Sequence, residues 1–108
     1  MNDAAGGVPP ISPSDLASEP ATVILDVRRK PDDAQIPGSR TFSSDALLAD
    51  PRLPDDIPRD AKVVVYCGTG NTCRSVAAAL QERGYDARPL EGGYRAWRDA
   101  GLPVEPRR

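Results

Sequence analysis

The sequence predicts an α/β fold with a mostly parallel central sheet of about five strands. Two apolar runs, residues 22–27 and Lys62–Tyr66, have the continuity that is typical of buried parallel strands. Residues 75–83 carry small and aliphatic side chains on one helical face and stop at Gly84, as an amphipathic helix does. Because this helix follows soon after the second strand, we expect parallel strands joined by right-handed crossovers.

The remaining elements are predicted to be short, and one domain is expected to contain them all. Residues 1–10 are small, polar and rich in glycine and proline, which predicts a flexible arm. Residues 11–106 suffice for a single hydrophobic core. Prolines interrupt residues 28–40 and 51–60, so both are expected to be loops. Serine caps and glycine or proline stops bound the other elements. These elements are a strand at Ile11, a helix from Ser12 or Ser14 to Ser18, a strand at 41–42, a helix from Ser43 or Ser44 to Ala49, a strand at 86–90 and a helix at 94–100.

Charge and apolar patterning exclude several classes of function. The formal net charge is −2, which gives no electrostatic basis for binding nucleic acid or an anionic membrane. No apolar run approaches the ~18 residues of a membrane span, and the first residues lack the pattern of a secretory signal. We therefore expect a cytoplasmic protein. The sequence has no histidine and only two cysteines, so no metal site and no histidine-activated nucleophile is expected.

The stretch after the strand Lys62–Tyr66 is the strongest candidate site. The strand ends at Cys67, and a loop with two glycines leads to a helix that Arg74 and Ser75 are predicted to open. Backbone N–H groups of such a loop, at the positive end of a helix dipole, stabilise an anion and favour a thiolate. Cys67 is therefore predicted to be a nucleophile that the loop and Arg74 activate. The alternative is a small buried hydrophobic residue, which a cysteine at a strand end often is.

Three ordered segments of the chain resemble the rhodanese family of sulfurtransferases. Together they extend over about residues 11–105. The segments are LDVR at 25–28 with IPGS at 36–39, VVYC at 64–67 with the glycine-bearing loop and the pair Arg74-Ser75, and LEGGYRAW at 90–97 with GLPV at 101–104.

The resemblance implies a three-layer fold and a two-step covalent mechanism. Cys67 would attack the outer sulfur of a small anionic donor such as thiosulfate, and a persulfide would form on Cys67. A thiophilic acceptor, such as cyanide or a thiol on a small molecule or a protein, would then remove that sulfur. No cofactor is implied. The residues implied to bind the donor are Gly68, Thr69, Gly70, Asn71, Thr72, Cys73 and Arg74, and Asp26, Arg28 and Ser75 are implied to support them.

The chain departs from the family pattern in its loop. Many single-domain members place an arginine five residues after the cysteine, whereas Arg74 follows Cys67 by seven, which predicts a longer loop. Phosphatase and arsenate-reductase relatives use a lengthened loop to hold a tetrahedral oxyanion. Cys73 also lies in this stretch, where a helix start would lower its pKa and a folded-back loop would bring it to Cys67. Its alternative role is an inert packing residue.

Two other classes of function therefore stay open. One is an arsenate-reductase-like, phosphatase-like or thiol-redox enzyme that uses Cys67, with Cys73 as the resolving thiol. The other is a non-catalytic module that binds a partner protein, against which the intact Cys67 argues. Asp26 and Arg28 are expected to pair with each other or with loop N–H groups, and Arg74 either binds the donor or supports the loop.

Overall fold

The computed structural model describes residues 9–19, 22–29, 33–68 and 71–106. Their helices are α1 (Pro13–Ala17), α2 (Ser44–Ala49), α3 (Thr72–Glu82) and α4 (Gly93–Asp99). Their strands are β1 (Val23–Asp26), β2 (Ala34–Gln35), β3 (Arg40–Thr41), β4 (Lys62–Tyr66), β5 (Asp86–Pro89) and β6 (Glu105–Pro106). Within these residues the central sheet is parallel, with strand order β3-β1-β4-β5, and β2 pairs with β6 in a small antiparallel sheet. No described helix has the length and apolar character needed to cross a membrane.

Side chains alternate between the two faces of the central sheet along each strand, and this divides the core into two halves, one on each face. Val63, Val65 and Cys67 pack with buried residues of α2 and α3 on one face. Val64 and Tyr66 pack with buried residues of α1 and α4 on the other. Because side chains of a strand alternate between faces, each apolar run supplies both halves, and three layers result.

The register brings the carboxyl ends of β1 and β4 side by side. Asp26 lies opposite Tyr66, and the Val27 amide donates to the Tyr66 carbonyl at 2.9 Å. Cys67 follows directly after the end of β4, so it lies beside the chain that follows β1. This is the edge at which open parallel sheets place their sites.

Most predicted elements are confirmed, including β1, β4, β5 and the helices that Ser12 and Ser43 cap. The number of strands was overestimated: the described part of the central sheet has four, because Ile11 forms only an isolated parallel bridge to Leu90. Residues 28–40 are not all loop, since they contain β2 and begin β3. Of the predicted arm at residues 1–10, residues 1–8 lie outside the described residues.

The predicted start of α3 was also wrong. The helix begins at Thr72, three residues before Ser75. Its buried side chains are Cys73, Val76, Ala77 and Leu80, which recur with the spacing of one helical face. Cys73 is thus the first member of the buried stripe, and treating it as a loop residue displaced the predicted boundary.

Candidate active site

Cys67 lies where β4 ends and the turn toward α3 begins. Its side chain is 5% exposed, and its Sγ accepts a hydrogen bond from the backbone N–H of Cys73 at 3.4 Å. That amide belongs to the first turn of α3, where N–H groups have no partner within the helix. Cys67 Sγ therefore lies at the positive end of the α3 dipole, where negative charge on sulfur is stabilised.

The start of α4 holds the backbone on the other side of Cys67. The amide of Tyr94 donates to the Cys67 carbonyl at 2.7 Å, and the amide of Arg95 donates to the Gly68 carbonyl at 3.1 Å. Gly92 allows α4 to begin at this point: its φ is +73°, and a Cβ there would lie 2.5 Å from the Ala96 Cβ. The backbone at the start of α4 thus packs directly against that of Cys67 and Gly68.

The other predicted donor-binding residues are distributed over the turn and the first turn of α3. Gly68 and Asn71 are exposed and Thr72 is half-buried, whereas Thr69 and Gly70 lie outside the described residues. Arg74 and Ser75 are exposed on the helix. Because α3 begins at Thr72, the connection from Cys67 to the helix is only residues 68–71. The stretch from Cys67 to Arg74 is therefore not all loop, because residues 72–74 form the first turn of α3.

Among the predicted donor-binding residues that the structure describes, Cys73 contacts the Cys67 side chain. It is 0% exposed, and its thiol hydrogen-bonds to Cys67. This hydrogen bond, together with burial, raises the pKa of Cys73 well above its ordinary value. The expectation that a helix start lowers this pKa is wrong, because the contact with Cys67 and the loss of solvent outweigh the dipole. Cys73 therefore keeps its proton at neutral pH.

Asp26 and Arg28 form a buried ion pair, as predicted. The Arg28 guanidinium donates from Nη2 to Asp26 Oδ2 at 2.7 Å, and its backbone N–H donates to Asp26 Oδ1 at 3.0 Å. The guanidinium carbon lies 4.2 Å from the ring centroid of Tyr94 and 5.5 Å from that of Tyr66. Both rings belong to the core half on the α1 and α4 face, whereas Cys67 packs on the opposite face. The Asp26–Arg28 ion pair thus stabilises the carboxyl end of β1 from the face of the sheet opposite Cys67.

Sequence reasoning missed the hydrogen bonds of Tyr66. Its hydroxyl lies 3.0 Å from Ser39 Oγ and accepts from the Ile36 amide at 3.3 Å. Burial raises the pKa of Tyr66, so the ring stays neutral and binds the segment before β3 to β4. A tyrosine in an otherwise aliphatic strand was the signal, since a buried hydroxyl usually has a partner.

A cleft opens at the carboxyl ends of β1 and β3, on the same edge of the sheet as Cys67. Its volume is about 510 Å³. It is lined by Arg28, Arg29, Thr41, Phe42, Ser43, Ser44 and Asp45. Both of its arginines are paired with carboxylates, Arg28 with Asp26 and Arg29 with Asp45. The cleft therefore offers hydroxyl groups and an aromatic wall rather than excess positive charge.

The raised pKa of Cys73 predicts a loss of stability in mild alkali. Above pH ~8.5 the unfolded chain loses the Cys73 proton while the folded chain keeps it, so the free energy of unfolding falls with a slope that approaches about 1.4 kcal/mol per pH unit. Urea unfolding between pH 7.5 and about 9.5, below the ordinary pKa of tyrosine, measures this slope. Cys73→Ala is expected to flatten it. If the free energy of unfolding falls with pH equally in the wild type and the variant, the pKa of Cys73 is not raised in the folded protein.

Comparison with known proteins places these features in a family. The model of the rhodanese-like domain matches residues 13–100. A sulfurtransferase of Allochromatium vinosum is 32% identical over 92 residues, which cover 82% of this chain and 83% of the relative. Actinobacillus relatives named thiosulfate sulfurtransferase GlpE are 34% to 47% identical over shorter stretches, and the matches span only 42% to 51% of their length.

Solved structures extend the likeness to the whole fold. A rhodanese-related protein of Thermoplasma volcanium has a TM-score of 0.78 at 27% identity, covering 91% of this chain and 98% of that one. A Rhodopseudomonas palustris protein described as of unknown function and a possible tyrosine phosphatase has a TM-score of 0.71 at 31% identity, covering 91% and 85%. With the family model matching most of the chain, the protein belongs to the rhodanese-like domain family, in which its named relatives are sulfurtransferases.

Proposed function

We propose that the protein transfers sulfane sulfur from thiosulfate to a thiophilic acceptor through a persulfide on Cys67. The observation that carries this proposal is the contact between Cys67 Sγ and the first-turn amide of α3 at 3.4 Å. An amide at a helix N-terminus stabilises a sulfur anion, which is the form that attacks a donor. The names of the relatives support sulfur as the transferred atom.

In the first step the Cys67 thiolate attacks the outer sulfur of thiosulfate. A bond forms between Cys67 Sγ and that sulfur, the sulfur–sulfur bond of thiosulfate breaks, and sulfite leaves with the electron pair. The persulfide that remains carries one negative charge. In the second step an acceptor such as cyanide attacks the outer sulfur and leaves as thiocyanate, so Cys67 returns as a thiolate. Covalent catalysis of this kind divides one transfer into two easier displacements.

The neighbours of Cys67 have separate roles in this scheme. The α3 amide and the Cys73 thiol both donate hydrogen bonds to Cys67 and stabilise its charge. The α4 amides fix the backbone from which Cys67 projects. Arg74 is an exposed cation in the first turn of α3, where it attracts an anionic donor. The acceptor is a small thiol, cyanide or a protein thiol, and a cytoplasmic location supplies such thiols.

Mass spectrometry of the intact protein tests the proposal. Incubation with thiosulfate is expected to add one sulfur atom to Cys73→Ser, and cyanide is expected to remove it as thiocyanate. Peptide mapping should place the added sulfur on Cys67. Cys67→Ser is the matched control, with the same substitution at the other cysteine, and should gain no sulfur. A sulfur adduct mapped to Cys73, or no adduct in any variant, would overturn the proposal.

An oxyanion-processing enzyme is the second candidate. The description of the Rhodopseudomonas palustris protein as a possible tyrosine phosphatase favours it. Thr72, Cys73 and Arg74 belong to α3, so they add no irregular backbone that could surround an oxyanion. Hydrolysis of p-nitrophenyl phosphate, lost in Cys67→Ser and accompanied by no persulfide, would select this candidate instead.

A further inference from the structure

The sulfur transfer proposed above uses one thiol, yet two are in contact in the site. Cys73 is fully buried, and its own backbone amide donates to Cys67 Sγ at 3.4 Å. The Cys73 Cα is one bond of about 1.46 Å from that nitrogen, so it lies within about 5 Å of the Cys67 sulfur. The raised pKa of Cys73, of which a hydrogen bond to Cys67 is the largest cause, agrees with this proximity. The amide contact would exist for other residues at position 73, but only a cysteine there places a second thiol beside Cys67.

We propose that Cys73 resolves the Cys67 persulfide, releasing hydrosulfide and closing a Cys67–Cys73 disulfide. This inference rests on the proposed function, because it needs the persulfide as its starting point. The Cys73 sulfur attacks the inner sulfur of the persulfide, which is Cys67 Sγ. A bond forms between the two cysteine sulfurs, the bond from Sγ to the outer sulfur breaks, and the outer sulfur leaves with the electron pair. The leaving sulfur takes the Cys73 proton, so the step needs no external oxidant.

The order of events follows from where the proton lies. While Cys67 is a thiolate, Cys73 holds its proton and donates a hydrogen bond, so only Cys67 attacks the donor. Persulfide formation moves the negative charge one atom outward, onto the outer sulfur. Sγ then becomes an electrophile that is already in contact with a thiol. Two groups held in contact react as if at a very high effective concentration, so this step competes with acceptors from solution.

A dithiol reductant must then reopen the disulfide, since the structure supplies no further electrons. It contributes two electrons and two protons and restores both thiols. The complete cycle converts thiosulfate and a dithiol into sulfite, sulfide and a disulfide. The protein would therefore act as a thiosulfate reductase whenever a dithiol is available and a sulfur acceptor is not. This activity is additional to transfer onto cyanide.

The test uses the full chain with thiosulfate and without cyanide or thiol. In the wild type we expect one equivalent each of sulfite and trapped sulfide, and a protein mass lower by two hydrogens that dithiothreitol restores. Peptide mapping should show a link between Cys67 and Cys73. In Cys73→Ser we expect a stable sulfur adduct on Cys67 and at least tenfold less sulfide. Cys73→Ala provides the same comparison if serine disturbs the buried position.

The outcomes separate this proposal from the one on which it rests. If the wild type keeps the sulfur adduct as long as Cys73→Ser does, Cys73 does not resolve it, and sulfur transfer through Cys67 stands. If neither protein gains sulfur or releases sulfite, the proposed function itself fails. Sulfide released equally by wild type and Cys73→Ala would show that another nucleophile removes the outer sulfur.

Discussion

Replacing Cys67 by serine is expected to lower the rate of thiocyanate formation from thiosulfate and cyanide by at least about a thousandfold. A hydroxyl in the same place stays protonated near neutral pH and cannot accept a sulfur atom as a persulfide. The Cys73 amide, which stabilises a sulfur anion at 3.4 Å, would face a neutral oxygen instead. Thiocyanate production in a continuous assay measures the change.

The fold should survive this substitution. Serine is close to cysteine in size, so no large cavity forms at a side chain that is 5% exposed. Burying the hydroxyl costs about 1–3 kcal/mol at most, and the Cys73 amide offers it a partner. Thermal unfolding of the variant serves as the control. A folded Cys67→Ser that retains a tenth or more of the wild-type rate would show that the transfer takes another route.

Replacing Asp26 by alanine is expected to have the largest effect on stability, a loss of about 3–5 kcal/mol in the free energy of unfolding. Asp26 is 0% exposed and accepts from the Arg28 side chain at 2.7, 3.0 and 3.1 Å. Without the carboxylate, the buried Arg28 guanidinium beside Tyr66 and Tyr94 keeps its charge but loses its hydrogen bonds to Asp26. Urea unfolding at neutral pH measures the loss.

An exposed ion pair in the same protein offers a matched control for Asp26→Ala. Arg40 and Asp56 approach to 3.0 Å, but their side chains are 44% and 66% exposed. Asp56→Ala removes the same group from a hydrated pair and is expected to cost no more than about 1 kcal/mol. If the two variants lose similar free energies of unfolding, burial contributes little to the stabilising effect of Asp26. Asp26→Asn, which keeps an acceptor without the charge, should fall between them.

The parts of the fold that could be predicted are those whose cause lies within a few residues. Lys62–Tyr66 is a mostly apolar run, and its end places the thiol of Cys67 at a sheet edge by local pattern alone. Asp26 and Arg28 are two residues apart at the end of a buried strand, so their pairing was also predictable. Ser12 and Ser43 cap their helices through side-chain bonds that reach only three residues ahead.

What could not be predicted depends on distant segments. The strand β2 exists because it pairs with β6, and Glu105 Oε2 accepts from the Gln35 side chain at 2.8 Å across 70 positions of the sequence. The orientation of Cys73 depends on where α3 begins, and no capping side chain marks that start, since Asn71 makes no cap hydrogen bond. A one-turn change in that boundary decides whether Cys73 is a loop residue or faces Cys67.

The two outer strands of the central sheet bear on how the protein behaves at high concentration. β3 has only two residues, both exposed, so it offers a second molecule little backbone to pair with. β5 carries the exposed charges of Asp86 and Arg88 and ends at Pro89, which has no N–H to donate. Short, charged or proline-bearing edges oppose strand addition by another chain. The parallel sheet that places Cys67 at its carboxyl end is thereby protected from edge-to-edge aggregation.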